Sequence, residues 1–342
     1  MMAAVLYGKE HLQVEPVAVP TIDRGDILVR VKVALTCGTD VKVFRRGYHA
    51  RMIVPPAVFG HELAGDVVAV GADVTRFSTG QRVVAANSAP CEECFFCRRG
   101  LQNLCEDLLF NNGAYAEYIR IPARIVERNT YLIPGHVGYQ DAALVEPLAC
   151  VVRGFEESAP REGDTIAIIG LGPIGLMFAK LAKLYGCRVI AVGRRKTQLE
   201  RAGALGADEL IVAGEGSDPV KAIRDLTHGR GVDIAIEAVG QPQTWEWAVN
   251  MVRRGGTVNF FGGCPNESTV NLDTALLHYS EITCKASFHH TPAYVRKALD
   301  LINAGHITAS FFVNSEEPLA NLLEVMRHLM SHNGHLKTAI VP

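Results

Sequence analysis

The hydrophobic rhythm of the chain changes once, near residue 160. Before that point apolar and polar residues alternate in short runs, as in Ile27-Leu28-Val29-Arg30-Val31-Lys32-Val33 and Asp66-Val67-Val68-Ala69-Val70, with Gly and Pro between them. A period of two turns one set of side chains inward and the other to water, so this half predicts an antiparallel β domain. Beyond residue 160, short apolar runs at Thr165 to Ile169, Arg188 to Val192, Glu209 to Val212, Val232 to Glu237 and Thr257 to Phe261 alternate with helical stretches. A strand apolar on both faces needs cover on both, which predicts a parallel, doubly wound sheet. After residue 284 helices are expected over Pro292 to Asn303 and Leu319 to Met330. A last apolar run, Lys337 to Val341, is expected to pair back into the first domain. The fold class expected is α/β: a β domain from residues 1–150, completed by 285–342, and a doubly wound domain from 151–284.

Composition agrees with two cores. The chain has 342 residues, 48% of them hydrophobic and 20% charged, more than one core usually supports. Lys and Arg number 34 against 36 Asp and Glu, and the longest basic run is Arg194-Arg195-Lys196, so no nucleic-acid partner is expected. No uncharged stretch approaches the roughly 18 residues of a membrane span, and the start lacks a basic segment before a long apolar one, so a cytoplasmic protein with no membrane partner is expected. Nine cysteines, four of them within residues 91–105, suit metal in a reducing compartment better than disulfides.

Gly170-Leu171-Gly172-Pro173-Ile174-Gly175 directly follows one predicted strand and opens an apolar helix, the context a dinucleotide-binding G-x-G-x-x-G turn requires. Its glycines permit a tight turn and close approach of backbone to pyrophosphate, while the helix start offers free N–H groups. NAD sites place an acid about 20 residues on, to bind the ribose 2'-hydroxyl. Here that place reads Val192-Gly193-Arg194-Arg195. Gly193 leaves room for a 2'-phosphate and the guanidinium groups of Arg194 and Arg195 would bind it, so NADP is expected over NAD, with NAD possible if the arginines are merely solvated.

Cys91-x2-Cys94-x2-Cys97-x7-Cys105 provides four thiolates for a closed, structural tetrahedral zinc. Elsewhere Cys37-Gly38-Thr39-Asp40 follows a strand and Gly60-His61-Glu62 follows Pro55-Pro56, offering a thiolate, an imidazole and a carboxylate for a second zinc with one open position. Singly these residues are ordinary; their conjunction with the other two motifs gives them weight.

Along essentially its whole length the chain resembles the zinc-containing medium-chain dehydrogenases, nearest to the sorbitol and threonine dehydrogenase branch. The shared motifs are Cys37-Gly38-Thr39-Asp40, Gly60-His61-Glu62-Leu63-Ala64-Gly65, the four cysteines, Glu146-Pro147-Leu148-Ala149 and the glycine turn. The resemblance implies a GroES-like catalytic domain facing a Rossmann domain across a cleft, and two zinc ions per chain. It implies Cys37, His61 and Glu146 as ligands of the catalytic zinc, with Glu62 as an exchangeable ligand or the support of a bound water. Zinc would acidify the hydroxyl of a small alcohol or polyol, or polarise a ketone, hydride would pass to or from the nicotinamide, and Thr39 would relay the proton. A homo-oligomer, tetramer or dimer, is implied as well. The alternatives are an NAD-dependent threonine-like or simple alcohol dehydrogenase, a nucleotide-sensing relative without enzymatic activity, and a zinc-free quinone reductase relative.

Two departures limit the substrate reading. Lys42 stands where relatives often carry a histidine relay, with His49 a weaker substitute. Phe288-His289-His290-Thr291-Pro292 replaces the Arg-Tyr pair that meets the polyol in sorbitol dehydrogenases. From position alone, His289 or His290 would donate to substrate oxygens, and Phe44 and Phe110 would supply apolar wall.

Overall fold

In the computed structural model, which describes residues 1–49, 51–331 and 336–342, the chain divides into two compact units, 1–149 with 290–342 and 150–289. The first is built on a seven-stranded sheet. Its central strand, Ile27–Leu35, buries Ile27, Val29, Val31 and Val33 and turns Arg30 and Lys32 to water, so the period of two in the sequence is the period of the burial. Glu62–Val70 and Tyr118–Ile121 pair antiparallel with it along one stretch each. The C-terminal strand Lys337–Val341 lies antiparallel against it too, Ala339 opposite Leu35 and Ile340 opposite Ala34. Residues at opposite ends of the chain thereby share one hydrophobic core, in which Ala34 and Ile340 meet Phe44, Phe59, Tyr115 and Met326.

The second unit holds a six-stranded parallel sheet in the order Glu209–Val212, Arg188–Gly193, Thr165–Ile169, Val232–Glu237, Val252–Phe260, Thr283–Ala286. Numbered by sequence within the unit this is 3-2-1-4-5-6, the Rossmann order, and it reverses between Thr165–Ile169 and Val232–Glu237. Every residue of Thr165–Ile169 is buried, as cover on both faces demands.

The strand-to-helix turn after Ile169 depends on two glycines. Gly170 adopts φ +94, in the left-handed region. A Cβ on Gly175 would stand 1.7 Å from the Gly170 carbonyl oxygen. Gly175→Ala is therefore expected to force turn and helix apart and to cost about 3 kcal/mol of stability; a melting temperature equal to that of the unmodified protein would refute this.

Candidate functional site

Cys37 sits where the strand Ile27–Leu35 gives way to the helix Gly38–Arg46, as the residue that caps the helix. Its sulfur accepts the Thr39 N–H at 3.4 Å, and the Asp40 carboxylate reaches back to the Cys37 N–H at 3.0 Å, a reciprocal capping box. Helix capping thus draws Asp40 inward, where it is almost wholly buried. There Asp40 also accepts the Tyr115 hydroxyl at 2.6 Å and stands 2.9 Å from Nδ1 of His61. With Nδ1 engaged, Nε2 is the ring nitrogen left for a metal, and the buried carboxylate fixes that orientation. Burial alone would lower the His61 pKa, but the Asp40 carboxylate overrides it and holds it well above the usual histidine value.

Glu62 follows at the start of strand Glu62–Val70, fully buried. The ligand atoms of Cys37, His61 and Glu62 all lie within 4.8 Å of one another, a donor set of sulfur, nitrogen and oxygen that fits zinc. Both oxygens of Glu62 are nevertheless held by Lys337 Nζ, at 2.7 and 2.6 Å, and the same ammonium donates to the Thr36 carbonyl at 3.0 Å. Burial opposes the Lys337 charge, and the pairing outweighs it, keeping the ammonium above its usual range. Lys337→Met is expected to cost about 3–5 kcal/mol, since it leaves Glu62 buried without a counter-charge, and Glu62→Gln in the same chain is expected to recover part of the loss. A urea midpoint unmoved by the single substitution would disprove it.

Glu146 lies in the first turn of the helix Val145–Glu157 and is mostly buried. Burial pushes its carboxyl up to about 7, against the pull of His61. His290 Nε2 stands 3.8 Å from Glu146 Oε1 and 3.2 Å from Asn87 Oδ1.

The four-cysteine segment passes a geometric test. Sulfurs about 2.3 Å from one zinc stand about 3.8 Å apart. Here Cys91 to Cys97 and Cys94 to Cys105 measure 4.0 Å and Cys105 to Cys91 measures 3.4 Å. The N–H groups of Cys91 and Cys94 already point at the sulfurs of Cys105 and Cys91. Backbone donation, first from Glu106, lowers the Cys94 thiol to about 6, while burial pushes Cys97 up to about 12.

In the second unit Gly172 caps the helix Pro173–Leu184, with Pro173 in its first turn, where the missing N–H costs nothing. Ile174 and Gly175 follow in the same turn. A Cβ on Gly172 would meet nothing within 4 Å, so the backbone there is open to a phosphate. Gly193 ends the second strand, and a Cβ on it would stand 2.8 Å from Leu171 of the glycine turn. Arg194 is exposed and Arg195, half-buried, precedes the helix Lys196–Ala204. Burial, then the neighbouring charge of Arg194, lowers the Arg195 pKa. No acidic partner meets either guanidinium among the described residues.

Phe44 is fully buried in the core, because the helix that Cys37 caps turns it inward. His290 is buried against Asn87 and Glu146, and Nδ1 of His49 accepts the Arg51 and Met52 N–H groups within its own loop. Thr39 is half-buried and Lys42 exposed, while Phe110, half-buried, pairs with Ser88. The residues sequence reasoning missed are Asp40, Tyr115 and Lys337. Asp40 carried a legible signal, since a carboxylate three residues after a helix cap is a capping-box position.

Residues 23–130 match the Alcohol dehydrogenase GroES-like domain, and residues 173–304 match the Zinc-binding dehydrogenase family. The sorbitol dehydrogenase of Bacillus subtilis (strain 168) is 31% identical over 350 residues, covering 100% of this chain and 97% of that protein. The L-threonine 3-dehydrogenase of the same organism is 35% identical over 262 residues, covering 75% and 74%. An NADP-bound crystal structure from Sinorhizobium meliloti 1021 superimposes with a TM-score of 0.92 at 29% identity, covering 100% of this chain and 99% of the other.

Proposed function

The chain belongs to the zinc-containing medium-chain dehydrogenase family, an enzyme family of alcohol and polyol dehydrogenases, and from that premise we propose that it moves a hydride between NADP(H) and a polyol or other small secondary alcohol. The observation that carries the reading is the convergence of Cys37, His61 and Glu62 on one point, with Asp40 locking the imidazole. In the proposal Cys37, His61 and Glu146 hold the catalytic zinc and Cys91, Cys94, Cys97 and Cys105 hold a second, structural one, two per chain. The catalytic zinc supplies Lewis acidity that makes a substrate hydroxyl easier to deprotonate. Asp40 keeps His61 in one tautomer with Nε2 directed forward. Lys337 engages Glu62, so Glu146 is the resident carboxylate and Glu62 the exchangeable one. The Thr39 hydroxyl accepts the proton from the substrate oxygen and passes it toward solvent. Gly170, Gly172, Pro173, Ile174 and Gly175 receive the pyrophosphate, and Arg194 and Arg195 the 2'-phosphate.

No helix among the described residues is long and apolar enough to cross a membrane. Cytoplasmic localisation and a homo-oligomer, tetramer or dimer, belong to the same proposal. The threonine dehydrogenase relative favours a second reading, an NAD-dependent threonine-like or simple alcohol dehydrogenase. One experiment separates the two: reduced-nicotinamide formation by the purified protein with polyols, cyclitols, threonine and secondary alcohols, each with NADP and NAD. Turnover of polyols with NADP is the expected result. Turnover of threonine with NAD would overturn it.

A further inference from the structure

The doubly wound unit contains a buried carboxylate that serves neither the cysteines nor the phosphate turn. Glu237 ends the strand Val232–Glu237 and has no exposed surface. Its Oε1 accepts the N–H groups of Val239 and Gly240 at 2.8 and 2.9 Å and the Thr244 hydroxyl at 2.7 Å. Its Oε2 is buried without a hydrogen-bond partner among the described residues. Thr244 belongs to the first turn of the helix Pro242–Met251, so one oxygen ties the loop 238–240 to that helix.

The loop it ties down borders the glycine turn. A Cβ on Gly170 would stand 2.5 Å from Cγ2 of Val239, so Val239 rests against the first glycine of the motif. Val239 is also 37% exposed, an apolar side chain at the carboxyl end of the strands where the strand order reverses. A doubly wound sheet takes one mononucleotide on each of its halves. The adenosine half belongs to the strands that carry Gly193, Arg194 and Arg195, which leaves the nicotinamide nucleotide to the half that Val232–Glu237 begins.

We propose that Glu237 is a positioning residue for the cofactor: it holds Val239 and Gly240 in place so that Val239 forms an apolar floor under the nicotinamide half of the dinucleotide. The inference rests on the dinucleotide reading given above. A loop ordered before binding spares the ligand the cost of ordering it, and three hydrogen bonds to one buried oxygen achieve that.

The test is calorimetric titration with NADP and with adenosine 2',5'-bisphosphate, which contains the adenosine half alone. Glu237→Ala is expected to weaken NADP about ten-fold or more and leave the bisphosphate within about two-fold. Thr244→Val, which removes one donor and keeps the carboxylate, is expected to move NADP in the same direction by less, and it decides the matter if the alanine variant does not fold. Equal losses for both ligands would mean general damage, and no loss for either would mean no positioning; each overturns the proposal alone. An unmodified protein that binds neither ligand would overturn the dinucleotide reading and this inference with it.

Discussion

Replacing Cys37 by alanine is expected to leave one zinc per chain instead of two and to lower kcat/KM by about a thousand-fold or more. The metal is asked to supply several kcal/mol of charge stabilisation, and each 1.36 kcal/mol is about a factor of ten in rate. Cys37 also caps a helix through its sulfur, so Cys37→Ser, which retains a capping oxygen, separates loss of the cap from loss of the ligand. Cys94→Ser is the complementary control: it is expected to lose the other zinc and stability while leaving the Cys37, His61 and Glu62 cluster intact. Metal content by emission spectrometry and initial rates together decide. Full activity in a Cys37 variant with one zinc would sink the assignment.

The arginine pair should govern cofactor choice. Replacing Arg194 and Arg195 by alanine together is expected to raise KM for NADP by about a hundred-fold or more and leave KM for NAD nearly unchanged. A hydrogen bond to a charged group contributes about 1.5–3 kcal/mol, so two of them lost exceed that factor. Because no acid among the described residues neutralises either guanidinium, their charge is available to a phosphate. An unmodified enzyme that prefers NAD, or a variant whose preference does not move, would refute the 2'-phosphate argument.

The doubly wound sheet was legible because its signals are local: continuous apolar runs and a glycine turn between one of them and a helix. The strands at Glu209–Val212 and Val232–Glu237 fall where the apolar runs predict them. The helix Pro292–Asn303 likewise spans its expected residues. The fifth strand begins at Val252, five residues before the apolar run, because Val252 pairs with Val232 while the residues between it and Thr257 fall in an irregularity of the ladder. The site was less legible. Cys37, His61 and Glu62 stand out as donors, but Lys337 reads as an ordinary solvated lysine, and its partner lies 275 residues away. Phe44 shows the opposite failure: its residue type suits a substrate wall, and packing buries it. Periodicity gives a residue's face on its own element; which other element covers that face is a long-range fact.

The return of Lys337–Val341 into the first sheet bears on how the protein is made. The dinucleotide unit is one continuous stretch, finished on the ribosome well before the C-terminal strand. Glu62 emerges early and acquires its counter-charge only when Lys337 has been synthesised. Non-local pairing of this kind is slow and leaves partly built sheets exposed. A chain released prematurely therefore carries an uncompensated carboxylate in an open sheet, which marks it for aggregation or proteolysis.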